Sequence, residues 1–268
     1  MAKKSLGQHW LTNETTLRYI VDVAKLQPSD TVLEIGPGHG HLTKYLVEQA
    51  DHVVAVEKDE KLASRLGKVK FWKDKLVVSS GDILSYDLSS LPLGYKIVAN
   101  IPYYLTGHLL RKLVYADNPP AAMTLLIQKE VAQRIDAKPG KMSILAASIQ
   151  LRYQPQLGEI IPPSFFTPPP KVDSQVIMLA RRPKPLFKDL NEAIFLKLIK
   201  AGFSAPRKKL RSSLAGGLRI EKEEADDLLQ KAEISGNLRA EALSLAQWYQ
   251  LYVEYRATKD LRSLLGRP

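Results

Sequence analysis

Short apolar runs alternate with helical stretches between residues 31 and 181, and this alternation constrains the fold most strongly. Their near-continuous apolar character indicates strands buried on both faces, as in parallel sheets. Repeated strand–helix units therefore predict an α/β fold built on a doubly wound, Rossmann-like parallel sheet. The predicted strands are Thr31–Ile35, Val53–Glu57, Leu76–Ser80, Lys96–Asn100 and Met123–Ile127, and the predicted helices between them span 41–50 and 59–66.

The pattern changes after a basic segment interrupted by prolines, Arg181–Pro185. Beyond it, Leu190, Ile194 and Leu198 recur with the four-residue spacing of a helix with one apolar face. Ser244 and Gln247 have the S-x-x-Q spacing of a capping box at a helix start. We therefore predict a first domain over residues 1–181 and a small all-α domain over residues 182–268.

Composition excludes several classes of function. Cysteine is absent, so disulfides, thiolate metal sites and cysteine nucleophiles are excluded, and the five histidines have no spacing typical of metal ligands. No apolar run approaches the roughly 18 residues that a membrane helix needs. Met1–Ser5 leads into no apolar segment of a secretory signal. We expect a cytoplasmic protein and, without a coiled-coil stripe, a monomer.

The net charge of +11 is concentrated in one stretch of the chain. Residues 181–219 hold eleven basic residues against two acids, whereas the rest of the chain carries only +2. Lysine and arginine bind phosphates with release of counterions, so this stretch favours a nucleic-acid partner. For any single lysine, a solvated helix face remains the alternative.

A glycine-rich turn, Glu34–Gly40, follows the first predicted strand, with glycines at positions 36, 38 and 40. Glycine allows a tight turn and close approach of a ligand to the backbone. The spacing differs from the G-x-G-x-x-G of dinucleotide sites, and Glu34 would repel a pyrophosphate. An acid beside glycines suits a neutral or cationic ligand end, such as the amino group of a methionine moiety. A plain strand-to-helix turn is the alternative.

Acidic residues stand at the ends of the next two predicted strands. Glu57 ends the second, where a carboxylate can accept hydrogen bonds from both hydroxyls of a ribose. Asp82 follows the third, where it can accept from an adenine amine. A solvated strand end and a turn residue are the respective alternatives. Because parallel strands end at one edge of a sheet, these acids and the glycine turn together predict a nucleoside pocket.

Asn100–Tyr103, with the sequence Asn-Ile-Pro-Tyr, follows the fourth predicted strand. Pro102 stiffens the turn and removes a backbone donor. The side-chain oxygen of Asn100 and the carbonyl of Ile101 can then accept both hydrogens of one exocyclic amine, which localises the nitrogen lone pair for attack. Tyr103 can stack on the base. A turn without chemistry is the alternative.

These motifs resemble those of amino-methyltransferases that use S-adenosylmethionine. Three further strings resemble ribosomal RNA adenine N6,N6-dimethyltransferases: Lys4–Leu11, Gln128–Ala132 and Phe166–Ser174. The basic stretch Phe203–Leu214 is similar to the C-terminal segment of that family. The resemblance covers nearly the whole chain and is nearest to the bacterial small-subunit branch, which dimethylates two adjacent adenines near the 3′ end of 16S ribosomal RNA.

The resemblance implies S-adenosylmethionine as cofactor and assigns a cofactor contact to five residues outside the Asn100–Tyr103 turn. His9 and Leu11 would contact it through the N-terminal segment, with Gln8 close by. Gly36 would line the methionine part, Glu57 would hold the ribose and Asp82 the adenine.

The same resemblance assigns the catalytic roles. Asn100 would bind both the target N6 and the methionine end, and Tyr103 would stack on the target adenine, with Phe165 or Phe166 on its other face. Trp10 departs from the family, which usually has phenylalanine there. His39 and His41 flank Gly40 in a variable part of the loop.

Three alternatives stay open. A 23S ribosomal RNA adenine methyltransferase of the macrolide-resistance type would share the Asn-Ile-Pro-Tyr motif, although Phe166–Ser174 and the N-terminal string favour the 16S branch within the 30S subunit. A ribosome assembly factor could act mainly by binding. A nicotinamide oxidoreductase is disfavoured by the glycine spacing and by Asn100–Tyr103.

Overall fold

The predicted strands form the centre of a seven-stranded sheet in the computed structural model, which describes residues 8–258. Its strand order is β4-β3-β2-β5-β6-β9-β7, and β1 and β8 form a separate antiparallel pair. The strands are β1 (Trp10–Leu11), β2 (Thr31–Ile35), β3 (His52–Glu57), β4 (Leu76–Ser80), β5 (Lys96–Asn100), β6 (Ala122–Gln128), β7 (Tyr153–Ile161), β8 (Phe166–Thr167) and β9 (Ser174–Arg181).

The sheet is mixed rather than wholly parallel. Strands β2 to β6 pair in parallel, which confirms the α/β doubly wound prediction. Strand β9 is antiparallel to both β6 and β7, so the prediction of a parallel sheet is wrong at this end. Burial on both faces also fails for β4, an edge strand in which Val77 is 62% exposed. The strand order reverses between β2 and β5, which is where ligands bind in open α/β sheets.

The helices begin where the sequence provides caps. The Asn13 side chain accepts from the N–H of Thr16 at 2.9 Å at the start of α1, and Asp59 caps α3 in the same way. Within residues 8–258, no helix is long and apolar enough to cross a membrane. The helices are α1 (Glu14–Val23), α2 (Thr43–Gln49), α3 (Glu60–Leu66), α4 (Thr106–Val114), α5 (Lys129–Ile135), α6 (Ile144–Gln150), α7 (Glu192–Gly202), α8 (Leu210–Leu218), α9 (Lys222–Lys231) and α10 (Leu245–Thr258).

The chain forms two compact units whose division differs from the predicted one. The first consists of residues 8–133 and 153–181, and the second of residues 134–152 and 182–258. Residues 134–152 had been placed in the first domain from the sequence. They belong to the second unit because Met142, Ala146 and Ala147 join the apolar core formed by α7 to α10.

The second unit is the helical one. Ile194 and Leu198 of α7 are fully buried, as their spacing predicts. Leu190 lies before α7 begins and is only partly buried against the same core. The capping box also forms: the Ser244 N–H donates to Gln247 Oε1 at 2.9 Å, and the Gln247 N–H donates to Ser244 Oγ at 3.2 Å. This fixes the start of α10, whose Trp248 lies at the centre of the core.

Candidate active site

An open cleft lies at the carboxyl edge of the sheet, where β2 to β5 end. It contains about 790 Å³ of empty space, counted to its open mouth. Six of the seven residues assigned to the site from the sequence line this cleft, namely His9, Gly36, Glu57, Asp82, Asn100 and Tyr103.

The glycine turn lines the cleft with Gly36 and Gly38. Gly36 has a φ of +66°, and its N–H donates to the carbonyl of Val56 at 2.9 Å. A Cβ added at Gly36 would meet no protein atom within 4 Å, so the space there is open to a ligand. At Gly38, by contrast, a Cβ would lie 3.1 Å from the indole nitrogen of Trp10, which covers the turn.

Glu57 is held by backbone donors on both carboxylate oxygens. Oε2 accepts from the N–H of Gly38 at 2.9 Å, and Oε1 accepts from the N–H of Asp59 at 2.8 Å. The residue is buried. Since each carboxylate oxygen has two lone pairs, both oxygens can accept one further hydrogen bond from the cleft.

Asp82 is oriented by a residue that the sequence analysis missed. Lys58 Nζ lies 2.8 Å from Asp82 Oδ2, while Asp82 Oδ1 accepts from the N–H of Leu84 at 2.9 Å. These two hydrogen bonds, the Lys58 one first, lower the pKa of Asp82, so the carboxylate is ionised at neutral pH. Lys58 also lines the cleft, and its position directly after Glu57 at a strand end was the available signal.

The Asn100–Tyr103 turn presents two acceptor oxygens. The Asn100 amide nitrogen donates to the carbonyl of His9 at 3.1 Å, which leaves the Asn100 oxygen as the free end of the amide. Ile101 is anchored by its N–H, which donates to Leu126 at 3.0 Å. Among residues 8–258 no donor is found for the Ile101 carbonyl.

Tyr103 forms the wall beside these oxygens. Its hydroxyl lies 2.7 Å from Ser174 Oγ, and its burial raises the pKa of the phenol. The His9 ring stacks on Tyr103 with centroids 5.8 Å apart. One face of Tyr103 is thus occupied by the N-terminal segment, a contact that motif reading did not anticipate. Of the two phenylalanines considered, the buried Phe166 lines the cleft and Phe165 packs against the core.

The N-terminal segment is tied down over the glycine turn. Strand β1 pairs with β8, His9 Nδ1 lies 2.7 Å from the carbonyl of Pro168, and the Trp10 ring meets His39 edge-on at 4.3 Å. Leu11, expected to contact the cofactor, lines a smaller cavity beside Glu34 rather than the main cleft, and its buried side chain also packs in the core. Residues 4–7 of the predicted N-terminal motif lie outside the described residues.

Glu34 lies in a smaller cavity that shares Gly36 and Asn100 with the cleft. Burial raises the pKa of Glu34 to about 8, an effect that the neighbouring Thr43 partly offsets. Among the described residues, Glu34 Oε2 and Thr43 Oγ1 have no hydrogen-bond partner. A buried carboxyl oxygen without a donor is costly, so this end of the site suits a ligand that brings an ammonium group.

The groups present fit S-adenosylmethionine. Three carboxyl groups border the open space at Gly36, and each is a hydrogen-bond acceptor that a donor of this cofactor could meet: Glu34 an ammonium group, Glu57 ribose hydroxyls and Asp82 an adenine amine. Each of these pairings joins an acceptor to a donor. The arrangement is that of a methyltransferase cofactor site at a topological switch point.

The fold and the cleft define a nucleic-acid methyltransferase of the Rossmann-like class, and sequence comparison identifies the family. The profile of the family described as "Ribosomal RNA adenine dimethylase" matches residues 1–257. The chain belongs to this family of enzymes, which confirms the resemblance found from the motifs.

Individual relatives agree. Proteins named "Ribosomal RNA small subunit methyltransferase A" from Dehalococcoides mccartyi and Crocosphaera subtropica are each 39% identical to it. The alignments cover 95% and 93% of this chain, and 88% and 96% of the relatives. A dimethyladenosine transferase from Plasmodium falciparum superposes with a TM-score of 0.80 at 26% identity, covering 93% of this chain and 98% of that one. The 23S rRNA methyltransferase ErmE superposes with a TM-score of 0.75 at 26% identity, covering 91% and 98%.

Proposed function

We propose that this chain transfers methyl groups from S-adenosylmethionine to N6 of two adjacent adenines near the 3′ end of 16S ribosomal RNA, giving N6,N6-dimethyladenosine. The observation that carries the proposal is the Asn100–Tyr103 turn, whose two acceptor oxygens lie beside an aromatic wall. This turn lines the same cleft as Gly36 and Glu57. The names of the small-subunit relatives support the 16S substrate.

The turn acts on the amine by geometry rather than by a strong base. The N6 lone pair of adenine is delocalised into the ring. The oxygens of Asn100 and Ile101 accept the two N6 hydrogens and draw them out of the ring plane, which frees the lone pair for attack. When bound, S-adenosylmethionine supplies an electrophilic methyl carbon. The proton is lost afterwards from a cationic, acidic product, so positioning provides most of the acceleration.

The cofactor residues hold the donor in line with this turn. Glu57 accepts from the ribose hydroxyls through the lone pairs that Gly38 and Asp59 leave free. Asp82 accepts from the adenine amine, and Glu34 receives the methionine ammonium. His9 contributes its carbonyl, which orients Asn100.

The helical unit binds RNA. Arg207, Lys208 and Lys209 form an exposed run directly before α8, and Lys200 and Arg219 are also exposed. Such a run binds phosphates without reading sequence. We place the enzyme in the cytoplasm as a monomer that acts on the 30S subunit or its precursor, where a stacked adenine must be flipped out to reach Tyr103.

A 23S ribosomal RNA substrate is the second candidate, and the likeness to ErmE is the observation that favours it. Two findings favour the 16S substrate over it. The Phe166–Ser174 string resembles the small-subunit branch, and the relatives at 39% identity carry small-subunit names.

The experiment offers labelled S-adenosylmethionine with unmethylated 30S particles and, separately, with protein-free 23S RNA. Products are mapped by nuclease digestion and mass spectrometry. The proposal expects N6,N6-dimethyladenosine in the 3′ terminal region of 16S RNA. Label in 23S RNA alone would overturn the substrate assignment, and tight 30S binding without any transfer would make assembly binding the main function.

A further inference from the structure

A second groove opens in the first unit beside the acceptor end of the cleft. Residues 128–130, Pro163 and residues 171–173 line it. Its empty space, counted to the open mouth of the groove, is about 740 Å³. Two of the strings singled out from the sequence, Gln128–Ala132 and Phe166–Ser174, supply most of this lining, and apart from Phe166 and Ser174 the site described above does not use them.

The groove is joined to Tyr103 by a short chain of contacts. The Tyr103 hydroxyl lies 2.7 Å from Ser174 Oγ. Ser174 pairs with Gln128 across β9 and β6, and the Lys129 N–H donates to the carbonyl of Asp173 at 3.0 Å. Asp173, which lines the groove, therefore directly precedes Ser174, the residue that contacts the Tyr103 hydroxyl.

The side chains of the groove have the chemistry of a nucleotide site. Among the described residues, the side chain of Gln128 has no hydrogen-bond partner and Lys171 has no ion pair, whereas Lys129 is paired with Asp173 at 3.2 Å. A glutamine amide can make two hydrogen bonds to adenine N6 and N7. A free lysine suits a phosphodiester, and Val172, which is 46% exposed, offers apolar contact to a base.

Resting on the proposed function, we propose that this groove holds the neighbouring adenosine of the target pair while the other adenine lies against Tyr103. Gln128 reads the base edge of the neighbour, and Lys171 binds the phosphate beside it. Glu130, which also lines the groove, is an acceptor for the ribose 2′-hydroxyl, the group that distinguishes RNA from DNA. The enzyme thereby selects for two adjacent adenines rather than for one.

The test combines protein variants with altered 30S particles. Unmethylated particles carry the natural A-A pair, or A-G or G-A with one adenine replaced, and single-turnover methylation of the remaining adenine is measured at saturating cofactor. Guanine presents an O6 acceptor where adenine has an amine. For the wild type we therefore expect the rate with the substituted neighbour to be at least about 10-fold lower than with the A-A pair. Gln128→Leu should lower the A-A rate by a similar factor and add no further loss on the substituted particles.

Lys171→Gln separates the phosphate contact from the base contact. We expect a rise in the KM for 30S particles of about 3- to 10-fold, with kcat retained, and a salt dependence of binding reduced by about one ion. Lys171→Arg should restore the wild-type KM. Gln154→Leu, an exposed glutamine in β7, is the matched control for Gln128→Leu, and cofactor binding to each variant reports whether the site is folded.

The outcomes separate the two proposals. Two results would overturn the neighbour site and leave the proposed function standing, provided that the wild type methylates A-A particles. One is an equal wild-type rate on A-A and substituted particles. The other is a loss from Gln128→Leu that multiplies with the loss from the substituted neighbour. No transfer by the wild type to any 30S particle would overturn both.

Discussion

The two halves of the cleft are built differently. In the cofactor half, Glu57 is held by two backbone N–H groups, and Asp82 by one N–H and Lys58. In the acceptor half, Asn100 is oriented by the N-terminal segment, and Tyr103 by a hydroxyl pair with Ser174 and a ring contact with His9.

The backbone N–H groups that hold Glu57 and Asp82 belong to the turns that follow the strands. They cannot move unless those turns rearrange. Contacts with His9 depend on a segment held by a two-residue strand and a few hydrogen bonds. The cofactor half is therefore the fixed half, which suits a cofactor of constant shape. The acceptor half is the adjustable half, which suits an RNA base that must enter, receive two methyl groups and leave.

Glu34→Gln tests the electrostatics of the fixed half and has the largest expected effect. The pKa of Glu34 is about 8 in the folded protein against 4.5 as its ordinary value. The folded state therefore holds the proton more tightly, and wild-type stability falls as pH rises from about 4.5 to about 8. By linkage the loss is on the order of 4 kcal/mol.

The measurement is the free energy of unfolding by urea at pH 5 and pH 9, without cofactor. Glu34→Gln should remove most of the difference between the two pH values. Equal pH dependence in the variant and the wild type would show that Glu34 is not the protonated group.

Glu57→Gln tests the anchoring of the ribose. One carboxylate oxygen becomes an amide nitrogen, which cannot accept from Gly38 or Asp59 and from a ribose hydroxyl as well. Hydrogen bonds to a charged group contribute about 1.5–3 kcal/mol each, so we expect the Kd for S-adenosylmethionine to rise about 100-fold. Calorimetric titration measures it, with Glu60→Gln on exposed α3 as the control. A change of less than fivefold would refute the assignment.

Tyr103→Ala and Tyr103→Phe test the adjustable half. Stacking of a base on an aromatic ring contributes about 1–3 kcal/mol, so the alanine variant should lose about 10- to 100-fold in kcat/KM for 30S particles. The phenylalanine variant keeps the ring and loses only the bond to Ser174, so we expect about a threefold loss. Cofactor affinity should stay within threefold in both. If the two variants were equally impaired, stacking would not be the role of the ring.

Trp10→Phe has the smallest expected effect. The indole covers Gly38 and meets His39 edge-on, and phenylalanine keeps most of that apolar contact. We expect the cofactor Kd to change by less than threefold and the free energy of unfolding by less than about 1 kcal/mol. A tenfold change in cofactor affinity would instead mean that the indole itself shapes the cofactor site.

The sequence predicted the part of the fold that apolar runs encode. Strands β2, β4 and β5 begin and end where predicted, because each is a short segment built around two or three consecutive apolar residues. Strand β7 was missed because Gln154, Pro155 and Gly158 interrupt it. An edge strand tolerates the proline, since one side of it has no partner.

For the site, the sequence predicted the residues at strand ends but not the contacts between distant segments. Residues at strand ends were found because parallel strands bring their ends together, as for Glu57 and Asp82. Contacts between distant segments have no local pattern, so the His9–Tyr103 stack could not be predicted. Lys58 could have been noted at its strand end, but its pairing with Asp82 had no local signal. The position of Leu11, both in the core and against the cavity of Glu34, was hidden for the same reason, since a hydrophobic residue in a motif fits either a core or a ligand contact.

The central claim is that the acceptor oxygens of the Asn100–Tyr103 turn activate the target amine. Asn100→Ala tests it directly, with single-turnover transfer to 30S particles measured at saturating S-adenosylmethionine and 30S binding measured in parallel. We predict a transfer rate at least about 100-fold lower, with 30S affinity within threefold of the wild type, because loss of a preorganised acceptor in a catalytic site costs about that much. Transfer within about fivefold of the wild type would contradict the account.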